Sequence, residues 1–255
     1  MSIERIRARR ALVLGRAAGD LVLELLYPSV CASCGAHAAG VVCARCVSEI
    51  VPDREPFCPR CLAARDDPFG CRAHASRGAV WGVHGGTLRR LVHALKYDAR
   101  RAAAKELARG IGGTPAAARL LEETELVTPV PSESGRLRAR GYHPAAWLAQ
   151  ALGSEAGRPV VLDLLVRLRG GPSQTRLDPG ARWANVEGAF AASRANLAAG
   201  RRVLLVDDVV TTGATARACF AALEQAGAAA VALVAAARAF DKSNGREGLS
   251  YLADR

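Results

Sequence analysis

Two adjacent carboxylates, set between a short apolar run and a hydroxyl-rich turn, are the residues of this 255-residue chain best suited to chemistry. The segment from Val203 to Thr215 reads VLLVDDVVTTGAT. An apolar strand runs into Asp207 and Asp208, then a loop of small residues, then a helix. Backbone N–H groups at a helix start make an anion site, and the helix dipole adds to it. Gly213 lets the backbone approach a phosphate closely, and Thr211, Thr212 and Thr215 add hydroxyl donors. The loop has no lysine and no GxxxxGK[ST] pattern, which excludes a Walker A loop. The two acids fall at the carboxyl end of a strand, where open α/β sheets place ligands. Carboxylates beside a phosphate site repel an anion unless they face hydroxyls or a metal. A sugar phosphate with a 2′,3′-diol meets that requirement.

A second chemistry lies upstream. Seven of the eight cysteines fall between Cys31 and Cys71. Cys31-x2-Cys34 is followed by Cys43-x2-Cys46, and Cys58-x2-Cys61 by Cys71-x2-His74. Each set offers the four soft or borderline ligands of a closed tetrahedral zinc site. Gly35 follows the first pair, where such a turn favours a positive φ. One or two structural zinc ions are expected. The pairing stays open, because Cys31 and Cys34 could share an ion with Cys58 and Cys61. A closed site has no position for water, so no catalysis is assigned to it. The clustering fits thiolate ligands in a reducing cytosol better than a secreted disulfide scaffold.

The remaining candidates are basic. Arg136, Arg138 and Arg140 follow a strand end and precede Gly141, and guanidinium forks match pyrophosphate oxygens. Gly170 to Asn185 has the composition of a mobile hood, with Arg176 and Arg182 as phosphate or acceptor contacts. Lys96, on a helix, reads either as a further ligand contact or as a partner in a surface salt bridge. His93 reads as a surface or core histidine and Cys219 as core packing. Trp81, Trp147 and Trp183 do not interleave with basic residues along the chain, so no base-stacking surface is expected.

The elements that must position these groups follow from periodicity. Residues 5 to 26 have a helical repeat that Pro28 ends. Helices are expected from Leu88 to Ile111, from His143-Pro144 to Gly153, and from Ala214 to Gln225. Strands are expected at Leu126–Pro131, Val160–Val166, Val203–Val206 and Val231–Ala236, with a loop over Ser132–Gly141. The tail after Phe240 is polar and reads as peripheral. This alternation predicts an α/β fold, a mainly parallel twisted sheet with helices on both faces. The apolar stretch from Ala11 to Val30 is broken by Arg16, Asp20 and Glu24, so neither a signal peptide nor a membrane span is expected, and the chain reads as cytoplasmic. The net charge of +11 suits a polyanionic partner, although all but three of the 35 basic residues are arginine, a bias that genome composition also produces.

The run from Val203 to Thr215 resembles the motif by which type I phosphoribosyltransferases bind 5-phosphoribosyl-1-pyrophosphate (PRPP). That likeness implies that Asp207 and Asp208 contact the ribose hydroxyls. It also implies that Thr211, Thr212, Gly213, Ala214 and Thr215 hold the 5′-phosphate, with magnesium accompanying PRPP. A wider resemblance, from Leu25 to about Arg238, is to the ComF family of competence-associated proteins. It is carried by Leu25-Leu-Tyr-Pro, by Leu95-Lys96-Tyr97, and by Val130-Pro131 with Arg136-Leu-Arg-Ala-Arg-Gly-Tyr142. Gln174, Leu177, Arg182, Asn185 and Phe190 extend it. His143-Pro144 stands where that family usually has Asn-Gln. The resemblance implies a helix and double zinc ribbon over residues 1–80 and a phosphoribosyltransferase domain over 81–255. Within that domain it makes the segment with Arg136 and Arg140 a pyrophosphate loop, and those two arginines join Asp207 and Asp208 as the catalytic candidates. It further implies a link to DNA uptake, with single-stranded DNA and a helicase-like or DNA-channel protein as candidate partners. Phosphoribosyl transfer to an unknown acceptor and a non-catalytic, PRPP-sensing or DNA-handling module both fit the sequence. A base-salvage enzyme fits less well, since no base-specificity loop is legible.

Overall fold

The computed structural model describes residues 30–53, 56–60, 62, 77–168 and 188–239. The helix expected over residues 5–26, the hood over 170–185 and the tail after Phe240 lie outside them. The chain separates into two compact units, Met1–Ser48 and Glu49–Arg255. In the first, a bridge joins Val30 to His37 and a short helix, α1, spans Ala44–Ser48.

The second unit is built on four parallel strands: β1 (Arg77–Val83), β2 (Leu126–Pro129), β5 (Arg202–Val210) and β6 (Ala230–Arg238), in the order β1-β6-β5-β2. A separate antiparallel pair is formed by β3 (Leu165–Arg167) and β4 (Phe190–Ala192), which flank the expected hood in sequence. The helices are α2 (Gly86–Tyr97), α3 (Arg101–Gly112), α4 (Pro115–Glu123), α5 (Ser134–Arg140), α6 (Pro144–Ala156), α7 (Ala195–Ala198) and α8 (Ala214–Gln225). None of the described helices is long and apolar enough to cross a membrane.

Strand alternation sorts the core into two layers. Val203, Leu205, Val231 and Leu233 face one way and pack with Cys219, Phe220 and Leu223 of α8 and with Leu164, Leu165 and Phe190 around the small sheet. Leu204, Val206, Val234 and Ala236 face the other way, also buried, where α6 lies on β2 and β5 and α3 on β1 and β6. Helices on both faces are thus required, since each face of β5 and β6 is apolar.

Several boundaries differ from the sequence reading, each for a physical reason. The helix expected from Leu88 to Ile111 is two helices. Ala99 adopts φ 50°, and the Tyr142 hydroxyl satisfies the break: it donates to Lys96 O at 2.8 Å and accepts from Ala99 N–H at 3.1 Å. Ser134 to Arg140 is helix α5 rather than loop, closed by Gly141 at φ 74° with its N–H on Leu137 O; arginine and leucine are good helix formers. Helix α6 continues past Gly153 to Gly157, and a Cβ at Gly153 would lie 2.2 Å from Val160 Cγ2. That glycine serves close packing rather than termination. Of the strand expected at Val160–Val166, Val160 makes a single bridge to Val127 and only Leu165–Arg167 forms a strand. Strand β5 runs on to Val210, so the two acids lie within its last turns of pleat rather than beyond it. Strand β1 was hidden by Gly78 and Gly82. A Cβ there would meet the Phe57 ring at 3.0 Å and Val51 O at 2.4 Å, because Phe57 bridges to Gly78 and Pro52 to Gly82.

Candidate functional site at the carboxyl end of β5

Strand β5 delivers Asp207 and Asp208 to opposite faces of the sheet, as its period of two demands. Asp207 faces the α8 side and lines a cavity of about 400 Å³ together with Arg136, Val209, Val210 and residues 211–216. Asp208 faces the α2 side, where Lys96 Nζ lies 2.6 Å from its Oδ1. Protein packed around the Asp207 carboxyl, and then the neighbouring Asp208 charge, push it up to about 7, against the opposing pull of Lys96 and of the Asp208 N–H that it accepts at 2.8 Å. The Asp207 carboxyl is thus held above the ordinary carboxylate range while Asp208 is held by a lysine.

The loop after β5 is shaped for an anion. Gly213 caps α8 at φ 71°, a left-handed conformation that side chains disfavour. The first helical hydrogen bond of α8 runs from Arg217 N–H to Gly213 O at 2.9 Å. The amides of Thr215 and Ala216 precede that bond and have no helical acceptor, and both residues line the cavity, with the helix dipole behind them. Thr212 Oγ1 lies 3.5 Å from Ala214 N. Across the cavity Arg136 supplies the cationic wall, its Nε also 3.3 Å from Glu133.

The other basic candidates separate. Arg138 sits on exposed α5, away from the cavity lining. Arg140 lies over the exposed Tyr97 ring, 4.8 Å from its centroid. Arg182 is outside the described residues. His93 is exposed on α2, 3.9 Å from Asp98, and Cys219 is fully buried. Lys96 meets Asp208 but does not line the cavity.

Three residues join the site that sequence reasoning did not assign to it. Tyr142 holds the backbone at Lys96. His143, whose Nε2 lies 3.0 Å from Val130 O, is kept below the ordinary histidine range by burial, against that hydrogen bond and the Asp208 charge. His84, after β1, is lowered by burial and then by the Lys96 and Arg89 charges. Their positions were visible only once β1, β2 and β5 were aligned. Folding also brings together rings and cations that the linear order keeps apart. Trp147 stacks on Tyr142 with centroids 4.4 Å apart, and Arg101 lies 5.9 Å from the Trp147 ring centre.

In the first unit the sulfurs of Cys31, Cys34, Cys43 and Cys46 all lie within 4.8 Å of one another. Cys34 and Cys43 Sγ are 3.8 Å apart, close to the separation of about 3.8 Å that tetrahedral ligands at 2.3 Å from zinc would have. Burial pushes the Cys31 thiol up, but the N–H groups of Ser33 and Cys43, each 3.4 Å from its sulfur, help bring it down to about 6. Gly35 takes φ 73°, as the turn requires. These four residues fit a structural zinc ion, and they assemble without Cys58. Cys58 is buried in the second unit; Cys61, Cys71 and His74 lie outside the described residues.

Two family models match parts of the chain, the first of them across the boundary between the two units. The double zinc ribbon domain matches residues 22–74, and the phosphoribosyl transferase domain matches residues 138–254. No curated protein matches the chain. Among solved structures, the chain is similar to the glutamine PRPP amidotransferase of B. subtilis (22% identity, TM-score 0.36), with 56% of this chain and 30% of that one covered. It is also similar to the adenine phosphoribosyltransferase of Thermoanaerobacter pseudethanolicus (14% identity, TM-score 0.35, 55% and 82% covered). A third is the orotate phosphoribosyltransferase of Aeropyrum pernix (22% identity, TM-score 0.30, 66% and 72% covered). The chain thus spans under a third of the amidotransferase's length. A parallel sheet with helices on both faces, in a chain carrying these two matches, is the type I phosphoribosyltransferase fold preceded by a double zinc ribbon.

Proposed function

We propose that the phosphoribosyltransferase-like domain binds PRPP with magnesium and transfers its phosphoribosyl group to an acceptor. The observation that carries this reading is the cavity that places the Asp207 carboxylate beside the loop 211–215, whose free amides open at the start of α8. An anion site alone would exclude a carboxylate. A sugar phosphate uses both, with its phosphate on residues 211–215 and its hydroxyls on Asp207. Arg136, which lines the cavity, would face the pyrophosphate in this reading, with Arg140 and Arg138 beyond it, and Arg182 is proposed to close from the hood.

In the transfer, the bond from the anomeric carbon to pyrophosphate breaks and the electron pair leaves with pyrophosphate. An acceptor lone pair forms the new bond, and the acceptor proton leaves to pyrophosphate or solvent. The sugar gains oxocarbenium character on the way. Magnesium, when bound, neutralises the leaving group. The chain's own residues hold the phosphate, orient the ribose and face the leaving group with guanidinium, so their contribution is positioning and electrostatic. Asp208, paired to Lys96 on the other face of β5, supports the strand end.

A second reading is a PRPP-sensing or single-stranded-DNA-handling module in competence, working in the cytoplasm beside a helicase-like or DNA-channel partner. The ComF resemblance motivates it. Tyr97, an exposed ring under Arg140, is the group on which an unpaired base would stack in that reading.

Calorimetric titration of PRPP with magnesium, into the parent chain and an Asp207→Asn/Asp208→Asn variant, tests the first reading. Binding to the parent that the variant loses is expected. No binding to the parent would overturn the reading. Pyrophosphate release with an acceptor, as against salt-dependent DNA binding with PRPP left intact, separates the enzyme from the module.

A further inference from the structure

Helix α5 is held from its ends rather than from its sides. None of its residues, Ser134–Arg140, is buried. A helix this short is marginal in water on its own, and it has no buried apolar stripe to fix it against the sheet. Yet it carries Arg136, the cation that lines the cavity. The position of that arginine is therefore set where the chain leaves the sheet, at Val130, and where it returns, at Tyr142 and His143.

The departing end is tied to β5, because Val130 N–H donates to Val206 O at 2.8 Å, one residue before Asp207. The carbonyl of the same residue accepts from His143 Nε2, 3.0 Å away; an oxygen there requires a proton on Nε2. His143 also begins α6, its own carbonyl accepting from the N–H groups of Ala146 and Trp147 at 3.1 and 3.2 Å. One imidazole thus closes the base of the arm, joining its two ends across 13 positions of sequence. The returning end is fixed one residue earlier. Gly141 closes α5 at φ 74°, and the Tyr142 ring then stacks on Trp147, 3° from parallel. Its hydroxyl donates to Lys96 O at 2.8 Å and accepts from Ala99 N–H at 3.1 Å. Lys96 is thereby held twice, by Tyr142 at its carbonyl and by Asp208 at its Nζ. Neither Tyr142 nor His143 lines the cavity.

We propose that Tyr142 and His143 are positioning residues for Arg136, which close the base of the α5 arm and so set the affinity for pyrophosphate without touching it. Tyr142 fixes the arm against the break between α2 and α3, and His143 fixes it against the end of β2. Residues 211–215 stand on β5 and α8, so a phosphate held there does not depend on either contact. This inference rests on Arg136 facing pyrophosphate in the reading above.

The test uses the full chain and two probes, inorganic pyrophosphate with magnesium and ribose 5-phosphate, titrated separately by calorimetry. Tyr142→Phe removes the hydroxyl and keeps the ring. His143→Ala removes the bond to Val130, and His143→Gln offers an amide N–H in its place. Pyrophosphate affinity about tenfold weaker is expected in Tyr142→Phe and in His143→Ala, with ribose 5-phosphate affinity unchanged and His143→Gln close to the parent. Added to Arg136→Ala, Tyr142→Phe should cost nothing more, because both act through one guanidinium. Parental pyrophosphate affinity in Tyr142→Phe, a full further loss on top of Arg136→Ala, or an equal loss for both probes would overturn the proposal. A parent that binds neither probe would instead overturn the PRPP reading. Backbone amide order parameters over α5, read without ligand, then decide the arm alone: lower values in Tyr142→Phe and His143→Ala, with β5 unchanged, support its closure by these two residues, and parental values overturn it.

Discussion

Lys96 Nζ lies 2.6 Å from Asp208 Oδ1, tying the last turn of α2 to the end of β5. Both side chains are largely buried, at 22% and 14% exposure, so the pair is screened less than a surface bridge. Removing only the lysine leaves a carboxylate with no cation beside it. Lys96→Met is expected to cost about 1–3 kcal/mol, below the full penalty for a deeply buried pair because water reaches both ends. Lys96→Met/Asp208→Asn should recover part of that loss. A double-mutant cycle from urea unfolding measures the coupling, and additive single effects would show that the contact contributes nothing.

Asp207 gives a pH dependence of definite sign. Its folded pKa of about 7 stands above the ordinary value of 3.8, chiefly through burial and then through Asp208. The folded state therefore holds a proton that the unfolded chain has released. The stabilisation is present in full below the ordinary value and is lost as pH rises toward the folded value. Relative to Asp207→Asn, the parent should lose stability between about pH 4 and pH 7, read as a falling difference in urea midpoint. A constant difference across that range would contradict the shift. His84 and His143, both depressed by burial, act the other way, losing stability as pH falls below 6.5.

Ligand binding should follow the same proton. A carboxylate accepts hydrogen bonds from a diol, and a protonated Asp207 offers one acceptor fewer. PRPP affinity is expected to rise between about pH 6 and pH 8, with proton release on binding. Titrations in two buffers of different ionisation heat would detect that release. Its absence at pH 7 would mean that ligand does not engage Asp207 as the carboxylate.

The zinc prediction is stoichiometric. Four sulfurs within 4.8 Å make one ion per chain the minimum expectation. Cys31→Ala or Cys46→Ala should release one equivalent relative to the parent, counted with a chromophoric chelator after denaturation. Well under one ion per parent chain would remove the structural role assigned to this cluster.

How far the sequence carried these conclusions depended on whether each signal was local. The hydroxyl-rich loop after β5 and helix α8 were legible because an apolar strand, a small-residue turn and a helix follow one another without interruption, and α8 spans Ala214–Gln225 as its pattern implied. The first cysteine set was legible because ligand spacing is local too. Strand β1 was not, since Gly78 and Gly82 are present for the sake of Phe57 and Val51, which approach from elsewhere in the chain. Nor was α5, where three arginines on an exposed helix carry no apolar stripe. Asp207 and Asp208 were read as equivalent, and only the pleat of β5 separates a cavity acid from a lysine-bound one. Tyr142 was quoted for its motif, yet its hydroxyl caps a helix end 46 residues away.

Gly213 is the position where local and distant requirements coincide, and its substitution tests both. Alanine there would have to adopt φ 71°, a conformation costing about 1–2 kcal/mol for a residue with a Cβ. The added methyl would also lie 2.7 Å from Pro59 O, a backbone atom that cannot move without shifting the turn after Cys58. Gly213→Ala is therefore expected to destabilise the fold by more than the conformational cost alone, and to weaken PRPP binding about tenfold or more by tilting the amides at the start of α8. Thr211→Ala is the counterpart: Thr211 is exposed, so it should lose affinity through its hydroxyl while leaving the unfolding midpoint within about 0.5 kcal/mol of the parent. If Gly213→Ala unfolds at the parental denaturant concentration, the approach of Pro59 to the loop is looser than the geometry states. If it loses stability yet keeps its full affinity, the phosphate is held by the threonine hydroxyls rather than by the helix amides.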